Sequence, residues 1–429
     1  MSSNSHPTES GDGPTVSRRG LLAGLGGGAL LGGATLSGGA AFASAGLVDS
    51  EAVAGSVSAQ SRDATLLGAS RVDCYGVHQA GITTSLQGHT QFVAFDIAPD
   101  TSKAQLQALM QSWSSAIEAM TQGRPPEDEK SQEIYAYGPA SLTATVSFGP
   151  GFFDREGLKE LKPDGLNSLP PFHHDQLKKV WTGGDLFVQV CSDDPVVTSH
   201  SARTLSQMAA PLATIRWSQT GFTRAAGTTK VSGLTHRNLM GQLDGSGNPK
   251  QGDPDFDSVV WTSSQAAPWA VGGSFVVVRK IRMILDHWDQ HSREEQEDHI
   301  GRTKDTGAPL TGKYEFDEPD FSAQRADGRL TIPADAHVRL THHTSTNGAK
   351  ILRRGYSYDD GYRSDGANDS GLLFIAWQAD PRKGFLPIQA RMDVGDALNH
   401  MTVPEGSALG FAPPGFKPGG YLGDTLFES

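Results

Sequence analysis

A glycine-rich loop with one acidic residue is the first part of this sequence whose residue types could do chemistry. It runs from Gly233 to Pro249 and carries Asp244 within the letters GQLDGSG. The three glycines of GQLDGSG allow positive φ angles and a close approach of the backbone to a flat ligand, which would leave the Asp244 carboxylate aimed at that ligand. On its own, such a loop is more often a surface turn in which the aspartate hydrogen-bonds its own backbone.

Two later segments carry residue types that complement an acid in such a loop. His337 lies in AHVRL, and Arg353 follows in ILRRGYSY. A neutral imidazole is a common ligand of haem iron, a carboxylate can transfer a proton, and an arginine stays charged at any ordinary pH. In this order, the three segments resemble the dye-decolourising peroxidase family, haem enzymes that include the twin-arginine-exported deferrochelatase/peroxidase type. Similar stretches cover nearly the whole chain after its leader, among them YGVHQAGI, WAVGGS and GLLF.

The resemblance implies both a cofactor and an activity. A member of this family binds haem b without a covalent bond, reduces hydrogen peroxide by way of an oxyferryl intermediate, and oxidises dyes, phenols or other bulky organic donors. The chain has two cysteines and no C-x-x-C-H motif, which agrees with non-covalent haem. The alternative is a deferrochelatase or haem-handling protein, which would release iron from haem in an iron-acquisition system.

Individual residues take their expected roles from the same resemblance. His337 corresponds to the proximal ligand of the haem iron, and His342 and His343 are its competitors among the 14 histidines. Asp244 and Arg353 correspond to the distal catalytic residues. Asp244 would move a proton between the two oxygens of peroxide, and Arg353 would stabilise the departing hydroxide.

The remaining cofactor contacts are expected around these residues. The backbone of Gly245, Ser246 and Gly247 would lie against the porphyrin, and Arg353 would contribute to the same pocket. By composition alone, Arg354 could replace Arg353. Otherwise Arg354 would form a salt bridge or contact a haem propionate.

A carboxylate is expected behind the proximal histidine, because a ligating imidazole usually donates its other N–H to an acceptor that fixes its orientation. Asp396 lies where the family places this carboxylate, and Asp393 is close enough in sequence to substitute for it. Electrons from bulky donors would reach the cofactor through aromatic residues. The sequence does not choose among the candidates Trp261, Tyr356, Tyr358 and Trp377.

Hydrophobic periodicity predicts the elements that position these residues. In the first half, apolar runs and alternation indicate strands, and residues at helical spacing indicate helices. Their order, β-α-β-β-α-β, is that of a ferredoxin-like unit. The strands are predicted at 92–97, 142–148 (half-buried), 186–191 and 213–217, and the helices at 102–120 and 197–208.

The second half repeats this scheme more loosely. Strands are predicted at 275–283, 372–378 and 407–412, with a charged helix at 284–300 and another from Pro387 towards Met401. A long insertion, Gly301 to Ser370, holds both the histidine and the arginine of the site. We therefore expect an α+β protein with two ferredoxin-like domains at 66–222 and 223–429. Their antiparallel sheets would pack side by side, as in dimeric α+β barrels, with haem in the C-terminal domain.

The first 45 residues indicate an export signal rather than part of the fold. Arg18 and Arg19 precede a weakly apolar stretch rich in glycine, alanine and leucine, which matches a twin-arginine signal peptide and would make a poor transmembrane helix. Small-residue cleavage sites fit near Ala43 or Ala45, and an uncleaved membrane anchor is the alternative. A linker at 46–65 follows. The mature protein would be secreted, periplasmic or associated with the cell envelope.

Composition limits the partners. A net charge of −12 argues against nucleic acid, so the expected partners are hydrogen peroxide, an organic electron donor and the twin-arginine export machinery. The sequence leaves open a homo-oligomer and partners in iron uptake. Export would permit a disulfide between Cys74 and Cys191, but two buried free thiols are the simpler expectation.

Overall fold

The computed structural model describes residues 68–126, 138–225, 235–263 and 266–429. The signal peptide predicted for residues 1–45 and the linker predicted for 46–65 lie outside the described residues. In the part of the chain that is described, no helix combines the length and the apolar composition needed to cross a membrane.

The first half of the described chain forms the predicted ferredoxin-like unit. Ser102 begins the first helix with a capping box, in which its side chain and that of Gln105 each bond the other residue's backbone N–H. Asp194 caps the second helix through the N–H of Val196 at 2.7 Å. The elements are β1 (His89–Ile97), α1 (Lys103–Thr121), β2 (Thr143–Phe148), β3 (Leu186–Ser192), α2 (Pro195–Ala209) and β4 (Ala213–Phe222).

The second half contains a second unit with more helical segments. Its short helices α3 (Phe256–Val260), α4 (Leu285–Trp288), α5 (Arg293–Ile300) and α6 (His337–Thr341) lie before or between the strands, and α8 (Asp424–Phe427) ends the chain. Its strands and main helix are β5 (Ser274–Met283), β6 (Leu352–Arg353), β7 (Tyr356–Tyr362), β8 (Asn368–Gln378), α7 (Phe385–Asp393) and β9 (Thr402–Ala412).

The two units form one closed antiparallel sheet. The strand order is β2-β3-β1-β4 in the first unit and β9-β5-β8-β7 in the second, and the two-residue β6 pairs with β8 on the same edge as β7. The units join at β2–β9, where Phe148 faces Phe411, and at β4–β7, where Phe222 faces Ser357. Each junction is a single residue pair, so the barrel consists of two sheets that meet edge to edge. This is the α+β barrel expected from the sequence.

The sheet separates two apolar cores. Alternate residues of a strand belong to different cores, because successive side chains point to opposite faces of a sheet. In β1, Val93 and Phe95 pack under the helices, whereas Phe92 and Ala94 belong to a second cluster with Trp217.

β2 differs from its prediction because the segment before β1 covers its polar face, where Gln87 donates to Thr143 and Thr145 donates to the carbonyl of Ala80. The alternation in β2 indicated a half-buried strand, but all six of its residues are buried since both faces of the sheet are covered.

Two predictions for the second half are wrong in detail. The helix predicted over 284–300 is broken into α4 and α5, because Ser292 forms a capping box with Glu295 and starts a new helix. The stretch 301–370 is not simply an insertion, since it contains β7, which is a full strand of the barrel. The polar end of β7 lacks the apolar alternation by which strands are recognised. Cys74 and Cys191 are both buried and free.

Candidate active site

His337 begins the short helix α6, and a buried carboxylate holds its ring. Nδ1 of His337 lies 2.7 Å from Oδ2 of Asp396, whose side chain has no solvent exposure. The other oxygen of Asp396 accepts a hydrogen bond of 2.9 Å from the N–H of Leu398. Both oxygens of the carboxylate are therefore engaged, and it fixes the plane of the imidazole.

The contact with Asp396 also sets the protonation of His337. Burial alone would lower the pKa of His337, but the Asp396 carboxylate outweighs burial, so the pKa lies above its ordinary value. In the neutral imidazole, Nδ1 donates its hydrogen to the carboxylate, which leaves a lone pair on Nε2.

The competing residues lie elsewhere. Asp393 accepts hydrogen bonds from the backbone and ring of His173, so it is not the carboxylate beside His337. His342 lies at the opposite end of α6, where its Nδ1 is 2.8 Å from Thr344 Oγ1 and its Nε2 is 3.5 Å from Glu318 Oε2. Burial, and then the neighbouring His343, lower the pKa of His342.

Asp244 and Arg353 form an ion pair. Nη1 of Arg353 donates to Oδ1 of Asp244 at 2.8 Å, and the two side chains are 26% and 14% exposed. Both charged groups interact electrostatically with His337. The structure thus brings together the aspartate, the arginine and the histidine from segments that are far apart in sequence.

The environment of Asp244 keeps this carboxylate ionised. Burial raises the pKa of Asp244. The charge of Arg353, then His236 and a hydrogen bond from Asn238, lower the pKa by more than burial raises it, so the pKa lies below its ordinary value. Nδ2 of Asn238 donates to Oδ2 of Asp244 at 3.3 Å. One oxygen of the carboxylate therefore faces a fixed charge and the other faces a neutral amide.

Asn248 and Asn238 are functional candidates that the sequence did not single out. The side-chain amide of Asn248 donates to the carbonyl of Arg353 at 2.7 Å and accepts from the Arg353 N–H at 3.1 Å. This reciprocal pair fixes the backbone of Arg353 to the glycine-rich loop. The only sequence signal for Asn248 was its place within that loop.

Two charged or titratable residues near the pair were also missed. His236 lies across a short hairpin from Asp244, where the Asp244 N–H donates to the His236 carbonyl at 2.9 Å. Burial lowers the pKa of His236. Arg302 is close enough for Arg353 to lower its pKa, although burial is the larger cause. Folding places these two residues near the ion pair, and their positions in the sequence did not indicate this proximity.

The glycine-rich loop has the shape of a cradle. Gly245 has a φ of +140°, and a Cβ there would lie 3.2 Å from Thr235 Cγ2, so a larger residue is disfavoured. A Cβ on Gly247 would meet no described atom within 4 Å, which leaves space beside the loop for a ligand. Oγ of Ser246 donates to Glu315 Oε1 at 2.8 Å, so this side chain is directed away from that space.

Arg354, directly after β6, lies away from Asp244 and contacts the first unit. Arg354 is buried, and its guanidinium donates to the carbonyl of Thr84 and to Oε1 of Gln87. It therefore connects the second unit to the first and, among the described residues, neither forms a salt bridge nor joins the ion pair. The four aromatic relay candidates, Trp261, Tyr356, Tyr358 and Trp377, are all buried as well.

The donor set fits haem. A single imidazole with an oriented free nitrogen suits one axial position of haem iron, and the open loop backbone suits the face of a flat macrocycle. Arg302 supplies a half-buried positive charge of the kind that carboxylate substituents need. No c-type attachment motif is present in the sequence.

Comparisons with known proteins agree with this fit. Residues 79–223 and 235–417 match the family models "Dyp-type peroxidase, N-terminal" and "Dyp-type peroxidase, C-terminal". The chain is 39% identical to the dye-decolorizing peroxidase of Thermobifida fusca, over 96% of this chain and 97% of that protein. It is 37% identical to the deferrochelatase of Yersinia pseudotuberculosis, over 83% of this chain and 84% of that protein.

A solved structure supports the same conclusion. Ferric DtpA from Streptomyces lividans superposes with a TM-score of 0.83 and 42% identity, covering 85% of this chain and 99% of that one. The fold and these matches define a haem peroxidase with two ferredoxin-like units, an oxidoreductase that uses hydrogen peroxide and an organic donor. The chain belongs to the Dyp-type peroxidase family.

Proposed function

We propose that His337 is the axial protein ligand of the haem and that Asp244 and Arg353 carry out the peroxide chemistry above it. The observation that carries this proposal is the convergence of the three residues, in which an oriented imidazole interacts with an aspartate–arginine ion pair. When bound, haem supplies the redox-active iron that takes the oxidising equivalents of peroxide. The backbone of Gly245, Ser246 and Gly247 would contact the macrocycle.

The chain's own residues have complementary tasks in this proposal. The carboxylate of Asp244 is ionised, so it can accept a proton from one oxygen of hydrogen peroxide and return it to the other. The guanidinium of Arg353 cannot lose its charge, and it stabilises the negative charge that develops on the departing oxygen. Asp396 keeps Nε2 of His337 free and directed, since it holds the opposite nitrogen.

The test of this assignment is His337→Ala in the haem-loaded protein. We expect the variant to lose haem during gel filtration or to keep it with an altered ferric spectrum, and to lose peroxide-dependent oxidation of a dye. The matched control is His342→Ala, which removes a histidine from the other end of α6. Full haem content with a wild-type spectrum in His337→Ala would assign the ligand to another residue.

We propose bulky dyes and phenols as the donors, as the name of the Thermobifida relative suggests. The four aromatic candidates named above are buried, so a bulky donor could not touch them directly. Among the described residues, Tyr314 and Tyr362, which are 73% and 80% exposed, are tyrosines at which such a donor could dock.

Release of iron from haem is the second candidate function, because relatives at 37% identity carry the name deferrochelatase. The two activities leave different products. Peroxidase turnover leaves the haem absorption intact and oxidises the donor, whereas iron release leaves metal-free porphyrin with its own fluorescence. Haem-loaded protein should be followed by absorption and by porphyrin fluorescence, with peroxide and with a reductant in separate samples. Partners in iron uptake belong only to this second candidate.

We also propose that the chain is exported by the twin-arginine route, on the basis of Arg18, Arg19 and the weakly apolar stretch after them. This route carries folded proteins, so haem would be inserted before export. Changing both arginines to lysine should retain a folded, haem-loaded and unprocessed protein inside the cell. Normal export of that variant would contradict both the route and the order of events.

A further inference from the structure

A cluster of three metal-ligating side chains lies at the end of α6 opposite His337. His342 and His343 follow the helix, and Glu318 reaches them from the segment before it. One ligand atom from each of the three lies within 4.8 Å of the other two. Among the described residues, this is the one group of three such side chains that meets this spacing. We propose that Glu318, His342 and His343 bind a divalent transition-metal ion, with zinc as the best-suited member.

The arrangement is already close to that of a coordinated site. Nε2 of His342 and Oε2 of Glu318 are 3.5 Å apart, about the separation of two ligands around an ion with metal–ligand bonds near 2.1 Å. The rings of His342 and His343 have centroids 4.1 Å apart and planes inclined by 40°, so both can turn a nitrogen towards one point. Little movement of the chain is needed to close the site.

The ligand types select the class of ion. Two imidazoles and one carboxylate suit zinc, copper, nickel or cobalt, whereas calcium and magnesium prefer oxygen ligands. Three protein ligands leave a fourth position of a tetrahedral zinc ion for water. Glu318 has a side chain that is 78% exposed, so the ion can enter from solvent.

The surroundings of His342 support coordination through Nε2. Its Nδ1 is 2.8 Å from Oγ1 of Thr344 and accepts a hydrogen bond of 3.4 Å from the Thr344 N–H, so Nδ1 is engaged by the loop and Nε2 is the nitrogen that faces Glu318. Phe321 packs edge-on against the ring at a centroid distance of 5.1 Å. The ring is therefore held from two sides with Nε2 towards Glu318.

A bound ion would connect two parts of the molecule. Glu318 belongs to the long segment between α5 and α6, and the two histidines follow the helix that carries His337. Metal would therefore restrain this segment against the helix, independently of the chemistry proposed for haem.

A second group of histidines could compete for the same ion and must be separated experimentally. A cavity of about 490 Å³ is lined by His287, His291 and His299, together with Asp335. Ring centroids of His287 and His291 are 5.2 Å apart, as are those of His291 and His299. Their ligand atoms do not gather as tightly as those of the proposed site.

The experiment is a zinc titration of untagged, haem-loaded protein by calorimetry, with X-ray absorption at the zinc edge as a readout to which iron does not contribute. Wild type should bind one tight equivalent, and the absorption spectrum should show imidazole nitrogens at about 2.0–2.1 Å. The variants are H342Q/H343Q, E318Q and the matched control H287Q/H291Q. Haem content checks folding in each, and the exposed position of Glu318 makes E318Q safe for the fold.

The proposal predicts that H342Q/H343Q loses the tight equivalent, that E318Q weakens it at least about tenfold, and that H287Q/H291Q keeps it. Zinc should also raise the melting temperature of the wild type and of H287Q/H291Q, but not that of H342Q/H343Q. Undiminished affinity in both E318Q and H342Q/H343Q would overturn the proposal. Loss of binding in H287Q/H291Q alone would overturn it as well and assign zinc to the cavity.

Discussion

Oδ2 of Asp396 lies 2.7 Å from Nδ1 of His337, and Asp396 is completely buried. The carboxylate comes from the residue before a 3₁₀ turn (Ala397–His400), where it also caps the N–H of Leu398. One buried acid thus begins one structural element and orients the first residue of another. A carboxylate in this position makes the opposite nitrogen of the imidazole more basic and fixes its direction.

The first prediction concerns this carboxylate. Asp396→Asn should weaken haem retention by about 10- to 100-fold, because an amide cannot stabilise the imidazole in the same tautomer and charge state. Transfer of haem to an excess of a haem-scavenging protein measures the change. Asp393→Asn is the matched control, since Asp393 contacts His173 instead. Equal rates of haem loss in the two variants would show that Asp396 has no special role.

Replacement of the two neighbouring arginines should have different effects: one change should slow the reaction and the other should destabilise the fold. Arg353→Leu should slow the first haem spectral change after mixing with peroxide by about 100- to 1,000-fold, the usual cost of removing one preorganised charge-stabilising donor. Arg354→Leu should leave that rate near wild type but lower stability by about 1–3 kcal/mol for each buried acceptor left unpaired. Stopped-flow mixing and urea unfolding measure the two effects. A reversed pattern would exchange the roles of the two residues.

Asn248 should act through the position of Arg353. Asn248→Ala removes both hydrogen bonds to the Arg353 backbone, and a misplacement of about 1 Å can cost about 100-fold in rate. We expect a lower rate of the peroxide step at every pH, with an unchanged pH profile. Asn238→Ala is the informative comparison, because it removes a hydrogen bond to Asp244 and should move the acid limb of the profile to higher pH. A shifted profile in Asn248→Ala would mean that Asn248 acts on Asp244 instead.

The sequence predicted the order of the barrel elements well because each strand and helix buries a periodic set of apolar residues. It failed where burial does not follow a simple period. Thr143, Thr145 and Ser147 read as an exposed face, but they are buried by contacts from the preceding segment, such as the 3.0 Å hydrogen bond from Gln87 to Thr143. The polar end of β7 was missed for a different reason: Asp359 and Asp360 are exposed, and this end of the strand has no apolar period.

Within the site, the sequence shows which residue types are present but not where their side chains point. Arg353 and Arg354 have the same composition, and only the fold directs them to opposite sides, one towards Asp244 and the other towards Gln87. His236 approaches Asp244 through a hairpin bridge between Arg237 and Leu243. Such proximity depends on backbone pairing that no local pattern in the loop predicts.

The last prediction concerns pH. If Asp244 is the base, the peroxide step should proceed wherever this carboxylate is ionised. Burial raises the pKa of Asp244, but Arg353, His236 and Asn238 together hold it below the ordinary value of about 4. A lowered pKa means that the group stays deprotonated as the pH falls, so the acid limb should lie below about pH 4. A histidine base would instead lose function as the pH fell through about 6.5.

Stopped-flow rates of the first haem spectral change between about pH 3.5 and 8 distinguish these cases, since that range includes the ordinary pKa of both groups. Wild type should keep its rate through pH 5, and Asp244→Asn should be slower by about 100- to 10,000-fold with no acid limb. His236→Gln is the matched control, because His236 is the titratable neighbour that faces Asp244 most directly and burial lowers its pKa. This control should keep a fast reaction. A limb between pH 5 and 6.5 that persists in Asp244→Asn and vanishes in His236→Gln would make His236 the base.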